Sequence, residues 1–232
     1  MTDADDPDAP ADGAIATHLR AGAAVYEAGE YHAAHDAWEA VWLDLDPGAD
    51  HRLLQGLIQL TAAVHHARNG NAAGATGLAG SARDYLDGLG ESHRGVALGP
   101  VRAYLRDLAT DPDGWEPPVD LRIDGEAVTV EDLRIDALGV AAGAVAEAFG
   151  DEEEALVADA ARYARSDLDG SPTSPLIGLL VAYVRGEERP TVRARLQGHV
   201  ERRRGRERDV EGLFGDSDGN GDRDGDGDGA EE

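Results

Sequence analysis

Lysine is absent from this chain. All 21 basic residues are arginine, set against 47 aspartates and glutamates for a formal charge of −26. Cysteine is also absent, which excludes disulfides and thiolate metal sites and leaves no redox marker of compartment. No apolar run is long enough to span a bilayer. The longest, SPTSPLIGLLVAYV (171–184), is interrupted by proline and falls short of the roughly 20 residues a spanning helix needs. The opening MTDADDPDAPADG lacks the basic-then-apolar order of a signal peptide. A cytoplasmic protein with no membrane association is therefore expected. No nucleophile elbow, P-loop or HExxH motif is present to name a chemistry.

Extreme acidity has two readings. Disorder is one, but long stretches of helical apolar periodicity argue against it for most of the chain. Adaptation to concentrated salt is the other. At about 1 M salt the Debye length falls to about 3 Å, so self-repulsion between surface carboxylates is largely screened. Missing lysine, abundant carboxylate and small aliphatic side chains together resemble the proteins of halophilic archaea.

Composition divides the chain into four parts. Residues 1–13 form an acidic stretch expected to be disordered. Residues 216–232, DSDGNGDRDGDGDGAEE, form an Asp/Gly-rich tail expected to be disordered as well. Asp216, Asp218, Asn220 and Gly221 fit the first positions of a calcium loop. Gly227, however, stands where the bidentate glutamate belongs, so a solvating tail is the better reading. Between the tails lie a helical domain (14–125) and a C-terminal helical region (126–215).

The periodicity predicts helices near 14–28, 31–43, 50–69, 71–88 and 96–109, with Gly29, Gly70 and Gly88 as stop signals. DPDGWEPPVD reads as a linker, and LRIDGEAVTV as a small hairpin turning at Asp124-Gly125. Further helices follow: one from Leu133 to Gly150, one over 151–167, one opened by Ser174 as cap with Pro175 behind it, and a last over 191–214. The fold class expected is all-α: a compact bundle of antiparallel helix hairpins with a second helical region and acidic tails.

Two helices carry polar residues where an apolar face is expected. In EYHAAHDAWEAVW (30–42), Tyr31, His35, Trp38, Glu39 and Trp42 share one stripe at about 100° per residue. On the next helix Arg52, Gln55, Gln59 and His66 share another. Such groups are costly to bury without partners. If the helices fold back near Pro47, Glu39 lies level with Gln55 and His35 with Gln59. Glu39 then pairs with Arg52 and His35 with Gln59, while the tryptophans exclude water. The same arithmetic places His66 about 10 Å beyond His35, too far to share one ion with His35 and Glu39.

These residues carry a resemblance. GEYHAAHDAWEAVW followed by RLLQGLIQLTAAVHHARNGN is similar to domain-of-unknown-function family 309 over roughly residues 14–125. Gly29, Glu30, Tyr31, His35, Glu39, Trp42, Arg52, Gln55, Gly56, Gln59, His66, Gly70 and Asn71 stand at positions of the family pattern. Asp36 departs from it where glutamate is usual, and His32 where an aromatic is common. The resemblance implies a compact all-helical fold and no particular activity or cofactor.

Three function classes follow. The first is a binding or scaffold module, with Tyr31, His35, Glu39, Trp42, Arg52, Gln55, Gln59 and His66 as a structural polar network or a pocket, and a protein partner or a second copy as company. The second is a metal-dependent or general-base enzyme, hydrolase-like, using His35 and Glu39, with His32 and His66 as further candidate metal ligands. The third is nucleic-acid binding through Arg193, Arg195, Arg202, Arg203, Arg204, Arg206 and Arg208. No aromatic residues interleave them for base stacking, and salt weakens phosphate contacts, so a solvated helix laced with ion pairs is preferred there. The first class is the leading expectation.

Overall fold

The computed structural model describes residues 9–215, with side chains from 12 to 209. Nine α-helices are found among them: α1 (Ala9–Glu27), α2 (Tyr31–Trp42), α3 (Ala49–Arg68), α4 (Ala72–Leu86), α5 (Leu98–Thr110), α6 (Ile135–Glu147), α7 (Asp151–Leu168), α8 (Pro175–Val184) and α9 (Arg189–Gly215). The all-α expectation holds. The first helix begins earlier than expected, inside the stretch 1–13 read as disordered. Asp12 in its first turn is held by Arg94 at 2.6 Å. Residues 1–8 and the calcium-like spacing at Asp216–Gly221 lie outside the described residues.

Local chemistry sets the helix ends. Gly29 and Gly70 adopt φ of +81° and +70°, a left-handed geometry that costs glycine no Cβ clash, and they bracket the α2–α3 pair. The side chain of Asn71 caps α4 by accepting from the Gly74 amide at 3.1 Å. Ser174 caps α8 with Pro175 behind it, as the sequence predicts.

The hairpin at Asp124-Gly125 is present, joining β3 (Arg122–Ile123) to β4 (Glu126–Ala127) with both turn residues at positive φ. It has an unanticipated twin. Arg94-Gly95, also at positive φ, joins β1 (Ser92–His93) to β2 (Val96–Ala97). Val96 pairs with Ile123, so the order is β1-β2-β3-β4, antiparallel throughout. This small sheet has a positioning role. His93 Nε2 meets Asp50 Oδ1 at 2.7 Å and Arg94 Nε donates to the same oxygen at 2.8 Å, which pins the first turn of α3.

One continuous apolar cluster runs from Ile15 in α1 to Val200 in α9. Helix α2 lies within it, packed against α1, α3 and α6. Ala33, Ala34, Ala37, Trp38 and Val41 supply its buried face. Trp38 is fully buried, and its indole donates to the Leu19 carbonyl at 3.3 Å. Gly22 makes room for it, since any Cβ there collides with the indole. His18 Nδ1 reaches the Ala37 carbonyl at 2.7 Å and ties the same two helices. With its small-residue face against α1 and α6, α2 leaves one polar edge beside α3.

The C-terminal helices close through arginine. Arg193 meets the buried Glu153, Arg203 meets Asp167, and Arg204 Nε donates to Asp159 at 2.8 Å. Arg189 reaches back to Glu30 at 3.1 Å, joining α9 to the α1–α2 turn. These pairs are mostly between helices rather than the i,i+4 pairs of a solvated helix. Among the described residues, no helix is long and apolar enough to cross a membrane.

Candidate functional site

The polar edge of α2 does not meet α3 as a sealed seam. It opens into a cleft of about 460 Å³ walled by Tyr31, His32, His35, Asp36 and Glu39 from α2, and by Thr61, Ala62, His65 and His66 from α3. The helix pair is shifted from the predicted register. His32 stands against His65, with ring centroids 6.5 Å apart, where fold-back near Pro47 would place residue 62. That is three residues, or about 4.5 Å at 1.5 Å per residue. The shift brings His66 into the cleft that helix arithmetic had denied it.

It also dissolves the expected Glu39–Arg52 pair. Arg52 turns to α4, donating from Nε to the Tyr85 carbonyl at 3.3 Å and from Nη2 to the Asp87 carbonyl. A guanidinium there satisfies carbonyls that a helix C-terminus leaves open. Glu39 instead faces His35, with Oε1 3.8 Å from Nε2. The expected His35–Gln59 bond is not formed, and Gln59 Oε1 is buried with no hydrogen-bond partner. Trp42 packs against His51 with ring centroids 4.9 Å apart, away from the cleft, and Trp38 faces α1. Of the eight residues expected in the pocket, Tyr31, His35, Glu39 and His66 line it, while Trp42, Arg52, Gln55 and Gln59 do not.

The chemistry concentrates on one and a half turns of α2. His35, Asp36 and Glu39 each present a ligand atom within 4.8 Å of the others, and all three side chains are half-buried. Nitrogen and oxygen ligands sit ~2.0–2.2 Å from a zinc-sized ion, so atoms grouped this closely are candidates to share one. His32 Nδ1 donates to Asp36 Oδ2 at 2.8 Å. That bond fixes the carboxylate and leaves Oδ1 for a ligand, in the manner of groups that orient metal-binding side chains.

The other two histidines are held differently. Asn71 accepts from Gly74 through Oδ1, so its Nδ2 is the atom that donates to His66 Nδ1 at 2.8 Å. His66 Nδ1 is thereby the acceptor of this bond and is not free to serve as a ligand. His65 has its pKa lowered, first by desolvation and then by His66, His32 and Arg68.

Glu147, at the end of α6, has its carboxyl pushed above the usual range, first by desolvation and then by Asp36 and Glu154, with Glu39 adding further. Its placement beside α2 was not legible in the sequence, because it depends on α6 packing across α2. Burial likewise raises the Tyr31 phenol. Asp36, Thr61, Ala62 and His65 are the other site residues that sequence reasoning left out. The His65-His66 doublet and the i,i+4 spacing of His32 and Asp36 were available signals.

Fold and site together define an all-helical protein with a histidine–carboxylate cleft between two antiparallel helices. Residues 19–78 match the family model described as Domain of unknown function (DUF309). The matched segment contains every residue that lines the cleft and ends before α6. No curated protein matches the chain.

Proposed function

We propose that the protein is a helical binding module whose α2–α3 cleft holds a divalent transition-metal ion, and that it works in the salt-rich cytoplasm of a halophilic archaeon. The observation that carries the metal reading is the convergence of His35, Asp36 and Glu39 within 4.8 Å on the wall of an open cleft. One imidazole and two carboxylates suit zinc and its first-row neighbours better than calcium, which takes oxygen ligands. Three protein ligands leave coordination positions open toward the cleft for water or a ligand oxygen, as in catalytic rather than structural metal sites. Habitat rests on the complete replacement of lysine by arginine and the charge of −26.

Ligand linkage gives the test. An ion that binds only the folded state raises stability by RT ln(1 + [L]/Kd), about 2.7 kcal/mol at a hundredfold excess over Kd. Zinc added to the metal-free protein is expected to raise its melting temperature. His35→Ala and Glu39→Gln should abolish that rise, and His66→Ala should keep it. The same rise in all three variants places the ion elsewhere and ends the proposal.

A further inference from the structure

Helix α9 carries a second cleft with the opposite charge. His199, Arg202, Arg203 and Arg206 follow the i, i+3, i+4, i+7 spacing that normally marks a core-facing apolar stripe. Here every position is cationic or imidazole. Together with Asp167, Ser171 and Thr173 the stripe lines a cleft of about 460 Å³ beside the start of α8.

The arginines of α9 divide by what they meet. Arg189, Arg193 and Arg204 are paired with Glu30, Glu153 and Asp159 outside this cleft. Inside it Arg203 is paired with Asp167, whose other oxygen accepts from the Ser174 hydroxyl at 2.7 Å. Asp167 is thereby neutralised and fully engaged. Arg202 and Arg206 form no ion pair among the described residues. They stand one turn apart on the same face, an arrangement of like charges that disfavours a helix unless an anion bridges it. The α8 N-terminus supplies no donor to a ligand at its second turn position, since Ser174 already accepts from the Leu176 amide at 3.2 Å.

We propose that this cleft binds a phosphate group, as inorganic phosphate or a phosphate monoester, with Arg202 and Arg206 as its charged donors. Arg203, fixed by Asp167, shapes the floor. Two guanidinium forks match a tetrahedral oxyanion in a way chloride cannot exploit, which lets the site select phosphate in concentrated salt. An extended polyanion fits less well. Glu201 and Glu207 flank the stripe on the same helix, and no Phe, Tyr or Trp lines the cleft for base stacking.

Calorimetric titration of the full chain in molar potassium chloride tests this, with inorganic phosphate as one probe and glycerol phosphate as a second that reports whether an ester is admitted. The expected result is one saturable phosphate site. Its affinity should fall at least tenfold in the Arg202→Gln/Arg206→Gln variant and stay unchanged in Arg195→Gln, which lies outside the cleft. Glycerol phosphate binding at the same site extends the proposal to esters, and its failure restricts the site to the free ion. No phosphate heat in the parent protein overturns the proposal, as does an equal loss in Arg195→Gln. A single-stranded oligonucleotide that binds more tightly than phosphate and is weakened by Arg195→Gln overturns it in favour of a polyanion surface. Arg202 and Arg206 hold no other element in place, so the double variant keeps its helicity and the comparison stands.

Discussion

His32 and Asp36 depart together from the pattern of the family that this chain resembles, and the structure makes them partners across one helical turn, 2.8 Å apart. Neither departure explains itself alone. A shorter carboxylate reaches less far, and a histidine one turn earlier holds it in place. Residue types in EYHAAHDAWEAVW thus pointed to the site, but pair assignments depended on register. An error of three residues was enough to give Glu39 the wrong partner. The consequence can be measured by a double-mutant cycle. Arg52→Ala should cost about 1–3 kcal/mol, because the α4 carbonyls it satisfies lose their donor. Glu39, which is 45% exposed, should contribute little, and the Glu39–Arg52 coupling should stay within the ~0.3–0.5 kcal/mol expected of independent sites. Coupling above about 1 kcal/mol would restore the sealed seam.

Helix existence and most helix ends were legible, since glycine stops, the Ser174-Pro175 start and 3.6-residue periodicity are local signals. What periodicity does not encode is which helix a polar edge faces. Helix α3 illustrates it: the Arg52 end serves α4, the His65-His66 end serves the α2 cleft, and its first turn is held by the unforeseen β1–β2 hairpin. That last contact predicts a pH dependence. Asp50 has its pKa lowered chiefly by the Arg94 hydrogen bond, with His93 adding to it and burial opposing. A carboxylate whose folded-state pKa lies below its unfolded value stabilises the fold above the unfolded pKa, and that stabilisation is lost as pH falls through the folded value. Asp50→Asn should therefore lower stability at pH 7 by about 1.5–3 kcal/mol, the range for hydrogen bonds to charged groups. The gap between parent and variant should close as pH drops below the ordinary aspartate range. A gap independent of pH would assign the loss to packing rather than charge.

Over the whole molecule, charge is the dominant fact, and composition alone revealed it. The N-terminal twelve residues and the Asp/Gly tail carry −12 of the −26, so the helical body is itself strongly acidic. About half of its described arginines pair with carboxylates, leaving surface repulsion to be screened by salt. Circular dichroism should show loss of helicity on dialysis from molar salt into dilute buffer, where the Debye length grows from about 3 Å toward 30 Å. An unchanged spectrum across that dialysis would contradict the salt-adapted reading.

The central claim, that α2 presents a metal site through His35, Asp36 and Glu39, is tested most directly by cobalt(II) added to the metal-free protein in molar salt. Visible ligand-field bands report both coordination number and nitrogen ligation. The account predicts one equivalent of cobalt with a single-imidazole spectrum, lost in His35→Ala, altered in His32→Phe, and retained in His66→Ala. A spectrum of fully hydrated cobalt in the parent protein, or one indifferent to His35, would contradict it.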